Sequence, residues 1–150
     1  MVRQRSILSL IFVLLATFLI SCNSPTIATV PPSYTAAEVA KIQEYVPGIQ
    51  MVRDRSPELQ NLITTGEWVK VGNFIHGPMT EARLNMTYII PNLAKQNQAQ
   101  ARQISKDLLN DLVKIDQAAA TGNTSLALNK YQEVFADIDK FLELVPEKTT

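Results

Sequence analysis

The chain has 150 residues, 46% of them apolar, with 14 basic and 14 acidic side chains and one cysteine. That length allows a single domain, and the lack of long Gly, Ser or Pro tracts points to a folded one. The balanced charge excludes a nucleic-acid-binding surface, no polybasic run offers itself to anionic lipid, and a lone cysteine excludes an internal disulfide.

The apolar content is unevenly spread. Arg3 and Arg5 precede an uncharged apolar run from Ile7 to Ile20, which closes on Leu19-Ile20-Ser21-Cys22. A basic start, an apolar stretch, and then Leu, a variable position, a small residue and Cys form the lipobox of a lipoprotein leader. Residues 1–21 are then a signal peptide and Cys22 the lipidated new N-terminus. A membrane-spanning anchor is the competing reading, but the run is short against the roughly 18–20 residues a span needs. Loss of the leader takes the formal charge from +0 to about −2. The remainder is polarised, with eight basic and six acidic residues from Cys22 to Lys106 but four and eight from Asp107 to Thr150.

Residues 22–34 are small, polar and Pro-rich, with no apolar period, and read as a flexible tether between lipid and domain. Thr35-Ala36-Ala37-Glu38 has the form of a capping box and opens a first helix within a domain spanning 35–148. Val39, Ile42, Val46, Ile49, Val52, Leu59, Leu62 and Ile63 keep a three-four rhythm to Thr64, interrupted by Pro47-Gly48 and Ser56-Pro57. The region is either one bent helix or two to three short ones; the retained phase favours a bent helix. Thr65-Gly66 closes it.

A second helix runs from Glu67 to about Leu93. Trp68, Val71, Ile75, Met79, Ala82, Met86, Ile89 and Leu93 form its buried stripe, and Asn73, His76, Thr80, Arg83 and Thr87 a polar one beside it. Pro78 removes an intrahelical hydrogen bond and predicts a kink or break at Gly77-Pro78. Gln96 to Gln100 is a polar link. The third helix, from about Gln98 to Ala120, turns Ala101, Ile104, Leu108, Leu112, Ile115 and Ala119 inward and ends at Gly122. Asn123 or Thr124 caps the fourth, whose Ala127, Tyr131, Val134, Ile138, Phe141 and Val145 recur in four-three steps until Pro146. Short links force neighbouring helices antiparallel. The predicted fold is all-α, an up-down-up-down four-helix bundle preceded by a flexible tether, with a core that includes Trp68, Ile75, Tyr131 and Ile138; Lys130 lies on its exposed surface.

Trp68-x-x-Val71-x-x-Phe74-Ile75-His76-Gly77-Pro78-Met79 resembles the cyanobacterial PsbQ proteins (CyanoQ), lumenal lipoprotein subunits of photosystem II. Tyr34-Thr35-Ala36-Ala37, Ile115-Asp116-Gln117-Ala118-Ala119 and Phe141-Leu142-Glu143-Leu144-Val145-Pro146 fit the same pattern, so the likeness spans nearly the whole mature chain. The resemblance implies a non-catalytic, lipid-anchored subunit on the lumenal side of the thylakoid membrane. It implies docking on photosystem II, against other extrinsic subunits and inner-antenna lumenal loops, and help in retaining calcium and chloride at the oxygen-evolving complex.

Few residues of the chain are arranged for chemistry. No Glu-x-x-His pairs suit a di-iron bundle, Cys-x-x-Cys-His is absent, and no Ser or Cys sits in a nucleophile turn. No catalytic residue, metal ligand set or cofactor is therefore assigned. A periplasmic or lumenal bundle binding a metal or haem through His76 is the alternative function; a metal site needs about three or four ligands. Asp107 with Asp111, and Asp137, Asp139 and Glu143, read as solvated faces, whereas Asp116 borders the inner stripe and is suited to a buried or capping role. Asn73, His76, Thr80 and Arg83, with Arg53 and Arg55 adding charge, form the candidate docking face. The rival reading has His76 and Arg83 capping carbonyls freed by Pro78.

Overall fold

The computed structural model describes residues 33–147. Cys22, the leader and most of the expected tether lie outside the described residues. Helix α1 spans Ala36–Asp54, α2 Ser56–Thr64, α3 Trp68–Phe74, α4 Thr80–Ile89, α5 Lys95–Thr121 and α6 Thr124–Glu143; a π-helical turn, Ile75–Met79, joins α3 to α4, and a 3-10 turn, Ile90–Asn92, follows α4. These make four antiparallel arms: α1 with α2, α3 with α4, then α5 and α6. Among the described residues there is no strand.

Each arm begins and ends where local chemistry directs. At the start of α1 the Thr35 hydroxyl accepts from the Glu38 N–H at 3.3 Å while the Thr35 N–H donates to the Glu38 carboxylate at 2.8 Å, a reciprocal capping box. Pro47 and Gly48 do not interrupt α1. Pro47 is exposed and carried within the helix, and at Gly48 the Asn85 side-chain amide of α4 fills the space a Cβ would need, so the glycine admits the neighbouring arm. The break falls instead at Arg55, with φ −87° and ψ 8°, because Pro57 in the first turn of α2 lacks the amide that would continue α1. The first arm is two helices in succession rather than one bent helix.

Two left-handed glycines close the turns at one end of the bundle. At Gly66 (φ 70°) the Glu67 N–H reaches back to the Leu62 carbonyl at 2.9 Å, and at Gly122 (φ 66°) the Asn123 N–H reaches the Ala118 carbonyl at 2.8 Å. Both are Schellman closures. Trp68 lies over both, since a Cβ on either glycine would stand 3.7 Å from its indole nitrogen. It is half-buried rather than central, and packs on the edge of the core.

Pro78 produces neither a break nor a stranded carbonyl. A π turn bonds i to i+5, so the Phe74 carbonyl can be served by Met79 in place of the missing Pro78 amide. The stripe stays in phase across the wide turn, with Val71, Ile75, Met79, Ala82, Met86, Ile89 and Leu93 all buried. The expected polar link from Gln96 to Gln100 is helical: α5 begins at Lys95, and Gln98 Nε2 donates to the Leu93 carbonyl at 2.9 Å, tying this polar first turn to the segment before it.

Along the bundle α1 packs on α4, α3 on α5, α5 on α6, and α2 on α6, which closes the ring. Ile138, Phe141, Ile115, Leu108 and Met86 are fully buried at its centre, and Tyr131 is half-buried against Phe135, ring centroids 4.9 Å apart. Two carboxylates expected on solvated faces are buried as well. Asp111 accepts Lys130 at 3.0 Å, and Asp137 accepts Lys140 at 2.9 Å. Lys130 is therefore not a bystander on the surface; its long stem lies across α5 and α6 and its ammonium neutralises a buried anion.

Candidate docking surface

The six polar residues expected on one face line three separate pockets. His76, Thr80 and Arg83 share the first, a cavity of about 90 Å³ between the second arm and α5, walled by Ile75, Leu109, Leu112, Val113 and Asp116. Asn73 and Arg55 line a second with Glu58, Lys70 and Pro78, and Arg53 lines a third with Asp139, Leu142 and Glu143.

The arginines of the second and third pockets are already paired. Arg53 pairs with Asp139 across α1 and α6, and that hydrogen bond and charge push the guanidinium above its ordinary range. Arg55 pairs with Glu58 at 2.8 Å and lies 4.9 Å over the Phe74 ring. The Arg55 hydrogen bond holds the Glu58 carboxyl below the usual range, and the same bond raises Arg55. Lys70 pairs with Glu67. Such exposed pairs add little stability and offer a partner no net charge.

In the first pocket the π turn aims His76 across the groove. Its Nε2 stands 3.2 and 3.3 Å from the two oxygens of Asp116 on α5. A carboxylate only accepts, so the imidazole proton sits on Nε2 in this pair. The Thr80 hydroxyl donates to the Ile75 carbonyl at 3.3 Å. That carbonyl is the neighbour of the one facing Pro78, and neither His76 nor Arg83 caps a carbonyl there. Arg83 differs from the rest: its Nε is buried and has no hydrogen-bond partner.

Asp116 is neither buried nor a cap; it is the half-exposed partner of His76. Leu109 and Val113 escaped the sequence reading because they sit one step off the inner stripe of α5, where apolar residues pass for its edge. With Asp116 they keep four-three spacing, which is the signal that marks a second face. His76 with Asp116 supplies two possible ligands, and among the described residues no group of three or more His, Cys, Asp or Glu gathers into a metal site.

Residues 2–146 match the model of the PsbQ family, described as oxygen evolving enhancer protein 3. The chain belongs to the PsbQ family. It is 39% identical over 148 residues to CyanoQ of Synechocystis sp., a match covering 98% of this chain and 99% of that protein. The Ile75–Met79 end of the Trp68–Met79 segment is the π turn that sets His76 against Asp116. Its first two residues are split between the two environments, with Ile75 buried in the core and His76 exposed on the groove.

Proposed function

We propose that this PsbQ-family chain is a non-catalytic extrinsic subunit of photosystem II. It is held at the lumenal face of the thylakoid membrane by acyl chains on Cys22, with residues 22–34 as tether and residues 35–148 as the docking bundle. On photosystem II it meets other extrinsic subunits and the lumenal loops of the inner antenna, and helps the oxygen-evolving complex keep its calcium and chloride. The observation that carries this reading is the match to CyanoQ from one end of the chain to the other. It is supported by a bundle whose core is filled by its own side chains, leaving its exposed grooves as the places where a partner can bind. No helix of the described residues is long and apolar enough to cross a membrane; attachment is assigned to lipid on the lipobox Leu19-Ile20-Ser21-Cys22.

The test is retrieval of the full-length tagged chain from thylakoids of a cyanobacterial strain lacking its own PsbQ. Photosystem II subunits are expected in the eluate, and oxygen evolution in medium poor in calcium and chloride is expected to recover when the chain is supplied. An eluate without photosystem II overturns the docking, and recovery no better than in the deletion strain overturns the ion-retaining role.

A further inference from the structure

We propose that the cavity between the second arm and α5 is a binding site for a carboxylate side chain of a protein partner, with Arg83 as its anion receptor. The inference rests on the docking function above and specifies its contact. Of the four arginines among the described residues, Arg53 and Arg55 hold carboxylates and Arg102 holds the Gln98 amide oxygen. Arg83 alone has no side-chain partner, and its Nε is closed off from solvent. A buried N–H left unpaired carries its full desolvation cost, which a well-placed acceptor removes.

The surroundings define what that acceptor is. Leu109 and Val113, on successive turns of α5, are 37% and 47% exposed where they wall the cavity. A cation at the base of an exposed apolar wall is the composition of an interface centre, where arginine and apolar area bind together. The anion on the rim, Asp116, is turned to His76 through both oxygens, so it leaves Arg83 unsatisfied. The complementary occupant is a partner segment with an Asp or Glu beside an apolar residue, the carboxylate taken by the guanidinium fork and the apolar side chain by Leu109 and Val113.

Two measurements on the full mature chain test this. Association with photosystem II lacking PsbQ is compared for wild type, Arg83→Met, Arg83→Lys and the control Arg102→Gln. Arg83→Met keeps the packed stem and removes the unpaired donor. It is expected to weaken binding roughly thirtyfold without lowering the melting temperature, Lys to restore part of the loss, and Arg102→Gln to cost less than about twofold. Separately, the Arg83 Nε–H signal is followed by 15N NMR during titration with acetyl-Leu-Glu-amide. A saturable shift, absent with acetyl-Leu-Gln-amide, supports the site even if the chain fails to bind photosystem II, a failure that would overturn only the docking function. Unchanged binding of Arg83→Met, or a silent Nε–H signal, overturns the site and leaves the docking function standing. A shift that grows with protein concentration alone would assign the cavity to a second copy of this chain and overturn the separate partner.

Discussion

His76 and Asp116 are 40 positions apart in sequence, yet the imidazole Nε2 lies within 3.3 Å of both carboxylate oxygens. The π turn makes this possible by continuing the helix past Pro78 while leaving His76 on the α5 side of the groove. The side chains are 69% and 43% exposed, so water screens the pair. A double-mutant cycle on His76→Ala and Asp116→Ala is expected to return a coupling below about 1 kcal/mol in urea denaturation. A coupling of several kcal/mol would show that the pair holds the second arm to α5 and is not merely a feature of its surface.

An apolar and a paired charged position on α6 are expected to behave very differently from an exposed lysine. Ile138 is fully buried, and Ile138→Ala should cost about 2–5 kcal/mol through lost transfer energy and the cavity left behind. Lys130→Ala leaves the buried Asp111 carboxylate with only Lys114, at 3.7 Å, and the melting temperature should drop by several degrees, against almost none for Lys41→Ala on the exposed face of α1. The Asp111 hydrogen bond holds Lys130 above the usual lysine range. Its contribution is therefore full below the unfolded value of about 10.4 and lost as the pH rises through the raised folded value. Thermal scans of wild type and Lys130→Ala that stay equally far apart up to strongly alkaline pH would refute this pairing.

The opposite sign applies at the start of α1. Hydrogen bonds from the Thr35 N–H and then the Thr35 hydroxyl hold Glu38 below the ordinary carboxylate range. The cap thus contributes fully above the unfolded glutamate value of about 4.3 and is lost as the pH falls through the lowered folded value. In Glu38→Gln the stability difference from wild type should shrink across that acidic window. A difference that does not change with pH would mean the carboxylate charge is irrelevant to the cap.

Lipid attachment is expected to depend wholly on Cys22, the one thiol in the sequence. Cys22→Ser should leave an unprocessed or soluble protein when expressed in cells lacking photosystem II, because two acyl chains anchor firmly where none do. Incorporation of labelled fatty acid into the Ser variant as well as wild type would rule the lipobox out.

The arms of the bundle were legible in the residues because their causes are local. Three-four spacing, a Thr-x-x-Glu cap and glycines at Gly66 and Gly122 each act within a few residues, and their physics is complete without a neighbour. Pro78 shows where local reasoning stops. Loss of one amide predicts a kink, and only the i to i+5 bonding of the wide turn, held by buried Ile75 and Met79, shows that the helix runs on. The Lys95 start of α5 was hidden for a related reason: its first turn is polar, and Gln98 is drawn into the helix by carbonyls of the preceding segment.

What faces what was decided by tertiary structure alone. A helical stripe records that His76, Arg83 and Asn73 are polar, but not which arm stands opposite, and the opposing arm places His76 and Arg83 in one pocket and Asn73 in another. Asp111 was expected on a solvated face and Asp116 in a buried or capping role; packing reverses them, with Asp111 buried under Lys130 and Asp116 meeting His76 at the surface. Sequence determines the periodic burial of each helix because that is set by 3.6 residues per turn. The pairing of charges depends on the rotation and offset of one helix against another, and those are settled only when all four arms pack.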